Sequence, residues 1–118
     1  MFDVKALREK ALQTDDIKND TVYVEEWDAE FPVQSLKLAD LKAVLTKSKN
    51  AKGETDETRL MALAVLYGCR TPQGERVFTD TDLAAFETGK AAKPIMTIGA
   101  KVLEISGFSK QAKDDAKN

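Results

Sequence analysis

The chain has 118 residues, 42% of them hydrophobic and 32% charged, the profile of one soluble globular domain that can bury roughly two thirds of its unfolded surface. Eighteen basic and twenty acidic residues give a formal charge of -2, with no basic stripe for nucleic acid. The absence of histidine removes the commonest general base, the commonest zinc ligand and every Ser-His or Cys-His nucleophile.

Cys69 is the single cysteine, so no internal disulfide can form and a reducing compartment is expected. No run of about 18 apolar residues and no signal-type apolar segment is present, which predicts a cytosolic protein with no membrane contact.

In chain order, DVKALREKAL places Val4, Leu7, Ala11 and Leu12 at helical spacing behind Asp3 as N-cap. The polar stretch TDDIKND ends this short amphipathic helix. TVYVEEWDAEFPVQSL then alternates β-branched and aromatic residues with polar ones, with Val22 and Val24 on one face and Tyr23 and Glu25 on the other. A second extended piece from Phe31 to Leu36 completes a β-hairpin, placed at an edge because Pro32 has no N–H to donate.

Positions 38, 41, 44 and 45 make an apolar helical stripe from Leu38 to Lys47. The stretch SKNAKGETDE, with Gly53, is expected to be a flexible loop. TDETRLMALAVLY, residues 55–67, opens with acids suited to a helix N-terminus and is then apolar nearly all round, which predicts a central core helix ended by Gly68 as C-cap.

The stretch CRTPQGERVFTDTDL, residues 69–83, has the look of a calcium loop. Setting Gly74 at the glycine of such a loop puts ligands at Cys69, Thr71, Gln73, Glu75 and Asp80. Only Asp80 then supplies a carboxylate side chain at an expected ligand site, which is too few hard oxygens for calcium. Thr-Pro-Gln-Gly instead reads as a turn, with Pro72 presetting φ and Gly74 closing it. Thr79 follows as an N-cap with Asp82 as its capping-box partner, and Phe78 and Leu83 form a hydrophobic staple. Thr79→Ala should cost about 1 kcal/mol in chemical denaturation, a folding effect only.

A helix from Asp80 to about Glu87 stops at Gly89. A last helix starts near Pro94, carries Ile95, Ile98, Val102 and Ile105, and ends at Gly107. The chain is therefore read as α+β and mainly α: about five helices with an N-terminal β-hairpin, one globular domain over 1–109, and a charged, disordered tail over 110–118.

The ordered combination of the hairpin VYVEEWDAEFPVQSL, an apolar helix and GERVFTDTDLAAF resembles the tail assembly chaperones of long-tailed, siphovirus-type bacteriophages. The pattern is a Trp with a short acidic turn and a Val-rich strand, then Gly-x-Arg-hydrophobic-Phe-Thr-x-x-Asp before a helix. It falls here on Trp27, Asp28, Val33, Gly74, Arg76, Val77, Phe78, Thr79 and Asp82, within a likeness running from Thr21 to Gly107. Where the family commonly has acidic residues before the glycine, this chain has Cys69, Arg70, Thr71, Pro72 and Gln73.

The resemblance implies a non-enzymatic protein of the infected bacterium's cytoplasm, absent from the mature virion. It implies that such a protein binds the long helical tape measure protein and keeps it soluble while tail tube protein assembles around it. No metal or cofactor is expected, and self-association into a homo-oligomer fits repeated contacts along a rod. The alternatives are a minor structural tail or head-tail connector protein of the virion, or a small carboxylate-dependent enzyme.

Trp27, Phe31, Gly74, Arg76, Phe78, Thr79 and Asp82 are the candidate partner-binding or motif residues. Each also has a plainer role. Trp27 and Phe31 either anchor a partner or simply close the hairpin over the helices; Met61 and Met96 are either adaptable binding surface or, as favoured, core gap-fillers; Cys69 is a small buried hydrophobe rather than a thiol activated by Arg70; and Glu25, Glu26, Asp28 and Glu30 are solvated rather than a metal or basic-partner site. Lys49 and Lys52 are solubilising.

Overall fold

The structure, a computed structural model, describes residues 1–108; the tail expected over 110–118 lies outside the described residues. Its elements are helix α1 (Val4–Gln13), strands β1 (Asn19–Val24) and β2 (Ala29–Gln34), and helices α2 (Leu38–Lys47), α3 (Glu57–Gly68), α4 (Leu83–Gly89) and α5 (Ala92–Ile105). The fold is α+β and mainly α: five helices with one two-stranded antiparallel hairpin near the N-terminus.

The apolar sequence of α3 does what its composition requires. Ala62, Leu63, Ala64, Val65 and Leu66 are all buried, and the other elements layer around them. On one side α5 contributes Ile95, Ile98 and Val102 and is itself covered by the hairpin residues Val24 and Val33; α2 adds Val44 and α4 adds Phe86.

Gly68 is not the C-cap. It is the last helical residue, Cys69 is the cap, and the glycine is needed for packing. A Cβ on Gly68 would stand 2.3 Å from Val102 Cγ1, and one on Gly99 of α5 would stand 3.0 Å from the Met61 carbonyl oxygen. The two helices therefore approach closely at two points, one that excludes a Cβ at Gly68 and one that leaves little room for it at Gly99.

The hairpin differs from the sequence expectation at its tip. Its register pairs Val24 with Ala29 and Val22 with Phe31, so β2 begins before Phe31 and stops at Gln34. Glu25 leaves the strand to open a 3-10 turn, Glu25–Trp27, closed by Asp28 at φ 45°. Aspartate tolerates this left-handed conformation, and its carboxylate accepts the Tyr23 hydroxyl at 2.6 Å.

SKNAKGETDE is not a free loop. Lys49 pairs with Thr55, Asn50 N–H donates to Glu54 O at 2.8 Å, and Asn50 Oδ1 accepts the backbone N–H groups of Lys52 and Glu54. An asparagine able to bond the backbone two residues on converts a polar stretch into a tight turn. Asp56 then caps α3 by accepting the Arg59 N–H at 3.1 Å.

Of the α2 stripe only Val44 is buried, while Leu38 and Leu45 lie exposed. The helix expected from Asp80 is a 3-10 turn over Asp80–Asp82 running into α4, and α5 starts at Ala92, with Pro94 in its first turn. Gly107 ends α5 as expected, with Phe108 N–H on Leu103 O at 2.7 Å and Gly107 N–H on Glu104 O at 3.1 Å.

Cys69 is fully buried, and burial pushes its thiol up to about 12. Arg70 does not activate it, because that guanidinium is taken by Tyr67 O at 2.7 Å and Asp40 Oδ1 at 3.3 Å. A thiol reagent at pH 8 should label Cys69 only through unfolding. Labelling of the native protein at the rate seen in denaturant would show the site to be open.

Candidate interaction groove

Four aromatic side chains from separate places in the sequence meet at the hairpin end of the molecule. Trp27 comes from the 3-10 turn, Phe31 from the core-facing side of β2, Phe78 from the segment after the Gly74 turn, and Phe86 from α4. Trp27 and Phe31 make an edge contact with ring centroids 5.4 Å apart, Phe31 and Phe78 stack at 6.1 Å, and Phe78 and Phe86 meet edge-on at 4.9 Å. These are the offset and T-shaped arrangements that ring quadrupoles favour.

The cluster is not closed over. Phe86 is buried, but the other three rings remain half-buried, and with Lys90 they line an apolar depression of about 210 Å³. A second depression of about 200 Å³ continues from Phe86 and Lys90 between α3, α4 and α5, where Ala62, Ile95 and Met96 form its apolar wall. The two depressions adjoin at Phe86 and Lys90, and the surface they span from Trp27 to Met96 is termed the groove.

The polar motif residues do not line this groove. They hold Phe78 in it. Gly74, at φ 88°, closes the turn by donating its N–H to Thr71 O at 2.8 Å, and Val77 N–H returns to Cys69 O at 3.0 Å. Arg76 lies over the Tyr67 ring at 4.6 Å and donates to Leu66 O at 3.0 Å, which pins the segment to the end of α3. Thr79 and Asp82 form the expected capping box, with Asp82 Oδ2 accepting the Thr79 N–H at 2.9 Å.

Asp80 is not a cap. It accepts Arg76 at 2.9 Å and Lys47 at 3.1 Å, and Lys47 also reaches the Tyr67 hydroxyl. The Arg76 and Lys47 hydrogen bonds hold the Asp80 carboxyl below its ordinary value of 3.8. A carboxylate stabilised this way adds stability that is present above its unfolded-state pKa and fades as pH falls through the lower folded value.

Asp80 is half exposed, so the effect is screened and amounts to about 1 kcal/mol or less. Asp80→Asn should melt slightly below the parent at neutral pH, and the gap should begin to narrow near pH 3.8 and close as pH falls through the lowered folded value. A gap that widens in acid would contradict the assignment.

The sequence reading missed Phe86, Ala62, Ile95 and Lys90 as parts of one surface, and of its two readings of Met96 it favoured the core, whereas Met96 is 43% exposed on the groove wall. Helical spacing marks these residues as apolar-face positions but cannot say which face a neighbour leaves bare.

A wider depression of about 440 Å³ lies between Asp16–Lys18, Ser35–Leu38 and Ile105–Gly107. Its serines already have partners: Ser35 Oγ accepts the Lys18 N–H and Ser106 Oγ accepts the Leu36 N–H, each at 2.8 Å. Among the described residues no helix is long and apolar enough to cross a membrane.

No family model matches the chain, and no curated protein matches it. Among solved structures it is similar to the bacteriophage HK97 tail assembly chaperone, with 13% sequence identity and a TM-score of 0.49, over 86% of this chain and 97% of that one.

Proposed function

We propose that this protein is a phage tail assembly chaperone whose Trp27–Met96 groove receives amphipathic helical segments of the tape measure protein, keeping them soluble in the host cytoplasm while tail tube protein assembles. The observation that carries the reading is the groove itself: half-buried aromatic rings line one open apolar depression and an exposed methionine lines the adjoining one, with Phe78 held by side chains that fall on the family's residue pattern. Fully burying one leucine-sized anchor is worth about 1.5–3 kcal/mol. Two or three anchors at i, i+3 and i+7 would match helix-in-groove recognition.

Such binding need not be tight. A rod-like client offers many such segments, each bound by its own copy, so coverage is set by the protein concentration against Kd. Methionine and aromatic walls can repack against different client stripes. The polar motif residues then act by positioning Phe78, and no chemical step is required of any of them.

A pulldown from infected cells tests the proposal. Tape measure protein should be enriched over an unrelated acidic control, and no enrichment would contradict it. Purified particles should lack the protein, whereas stoichiometric amounts there would make it a structural tail or connector component.

A further inference from the structure

Helix α1 is well formed but covers nothing. Asp3 caps it by accepting the Ala6 N–H at 3.0 Å, yet none of its residues is buried. Five of the eleven exposed large hydrophobic residues, Met1, Phe2, Val4, Leu7 and Leu12, fall in the first twelve positions. A helix this short is marginal in water by itself, so its order calls for a surface to lie on.

We propose that α1 of one copy docks in the Trp27–Met96 groove of a second copy, closing a dimer by reciprocal exchange, so that a client helix binds by displacing it. The inference rests on the reading of the groove as a helix receptor. It adds that the chain carries its own occupant for that site.

The chemistry of the two surfaces matches. Val4, Leu7 and Ala11 form the stripe of α1, with Arg8 and Lys10 on either side of it. At the Trp27 end of the groove the same turn carries Glu25 and Glu26 and is followed by Asp28; further on, Glu87 is already paired with Arg59 at 3.2 Å and Lys90 lines the wall. Among the described residues Glu25 and Asp28 enter no ion pair, and Glu26 has only the mostly exposed Lys93 at 3.6 Å. An apolar stripe edged by cations therefore meets aromatic rings whose carboxylates stand at the Trp27 end, while Lys90 disfavours a cation further along, an arrangement that sets partner and register.

A second copy is favoured over the chain's own groove by where α1 leaves the body. The linker is tied down at Lys18, whose N–H donates to Ser35 Oγ, and Asn19 begins β1 at the end away from Trp27. The strand separates these ends by about 17 Å, so α1 would have to turn back along its own hairpin. Exchange between two copies needs no such reversal, and a twofold arrangement satisfies both grooves at once.

Sedimentation equilibrium with Trp27 emission tests this, since Trp27 is the single tryptophan. The full-length parent should dimerise with concentration, with Trp27 emission shifting to the blue in step. Leu7→Asp lies on an exposed position and should melt as the parent does at dilutions where both are monomeric, while staying monomeric with constant emission as concentration rises. Leu45→Asp, on the bare face of α2, should leave the dimer intact.

A parent that stays monomeric, a Leu7→Asp variant that dimerises like it, or a dimer lost only in Leu45→Asp would each overturn the proposal. An amphipathic tape measure peptide should bind Leu7→Asp about tenfold more tightly than the parent, because no occupant has to leave. Peptide binding without a dimer removes the exchange alone. A dimer as described with no peptide binding removes the proposed function and leaves the exchange standing.

Discussion

Replacing Gly68 with alanine is expected to destabilise the fold by about 1–3 kcal/mol in urea denaturation, the range for forcing a methyl group into a well-packed core. The added Cβ would stand 2.3 Å from Val102 Cγ1 and 2.6 Å from Cγ2. Val102 is itself fully buried, so it cannot swing away without disturbing the layer between α3 and the hairpin. Gly89→Ala is the matched control: nothing lies within 4 Å of its added Cβ, so its effect should stay within about 1 kcal/mol of zero.

Shortening the neighbour should rescue the clash. Gly68→Ala combined with Val102→Ala should be less destabilised than the sum of the single changes, a coupling of roughly 1 kcal/mol or more between side chains in contact. Additive effects, or a Gly68→Ala variant as stable as the parent, would contradict the close helix approach.

Met96→Asp should weaken binding of an amphipathic tape measure helix by tenfold or more while leaving stability within about 0.5 kcal/mol. Met96 is exposed enough that a carboxylate there stays hydrated in the free protein. In the complex the same carboxylate would be desolvated against an apolar stripe with no partner, which is costly. Val77→Asp, equally exposed at 42% but outside the groove, should bind as the parent does. Equal loss in both variants would mean that surface hydrophobicity in general, and not the groove, draws the client.

The elements that sequence periodicity marked well were those with a strong local cause. The bounds of α2 are those expected from its stripe, and the turn at Gly74 and the cap at Thr79 follow from residues whose backbone preferences are intrinsic. Where the fold depends on distant partners, the residues were visible but their roles were not. Gly68 looked like a helix stop because glycine after an apolar helix usually is one, and only the position of Val102, far along the chain, shows that it makes room for α5.

Asp80 reads in sequence only as the first residue of a helix, yet Lys47 and Arg76 claim its carboxylate. The groove was half legible. Trp27, Phe31 and Phe78 were singled out and do meet, but Phe86, Ala62, Ile95 and Met96 join them only through the way α3, α4 and α5 pack. An apolar position reads the same in sequence whether a neighbouring helix covers it or leaves it open.

The most direct test of the central claim is chemical-shift mapping of the full-length protein titrated with an amphipathic helical peptide from the cognate tape measure protein. The groove account predicts saturable shifts in the Trp27 indole and in the backbone amides of Phe31, Phe78, Phe86, Ile95 and Met96, with the α2 face around Leu41 and Leu45 unmoved. Shifts confined to the α2 face, or no saturable shift at the groove, would contradict it.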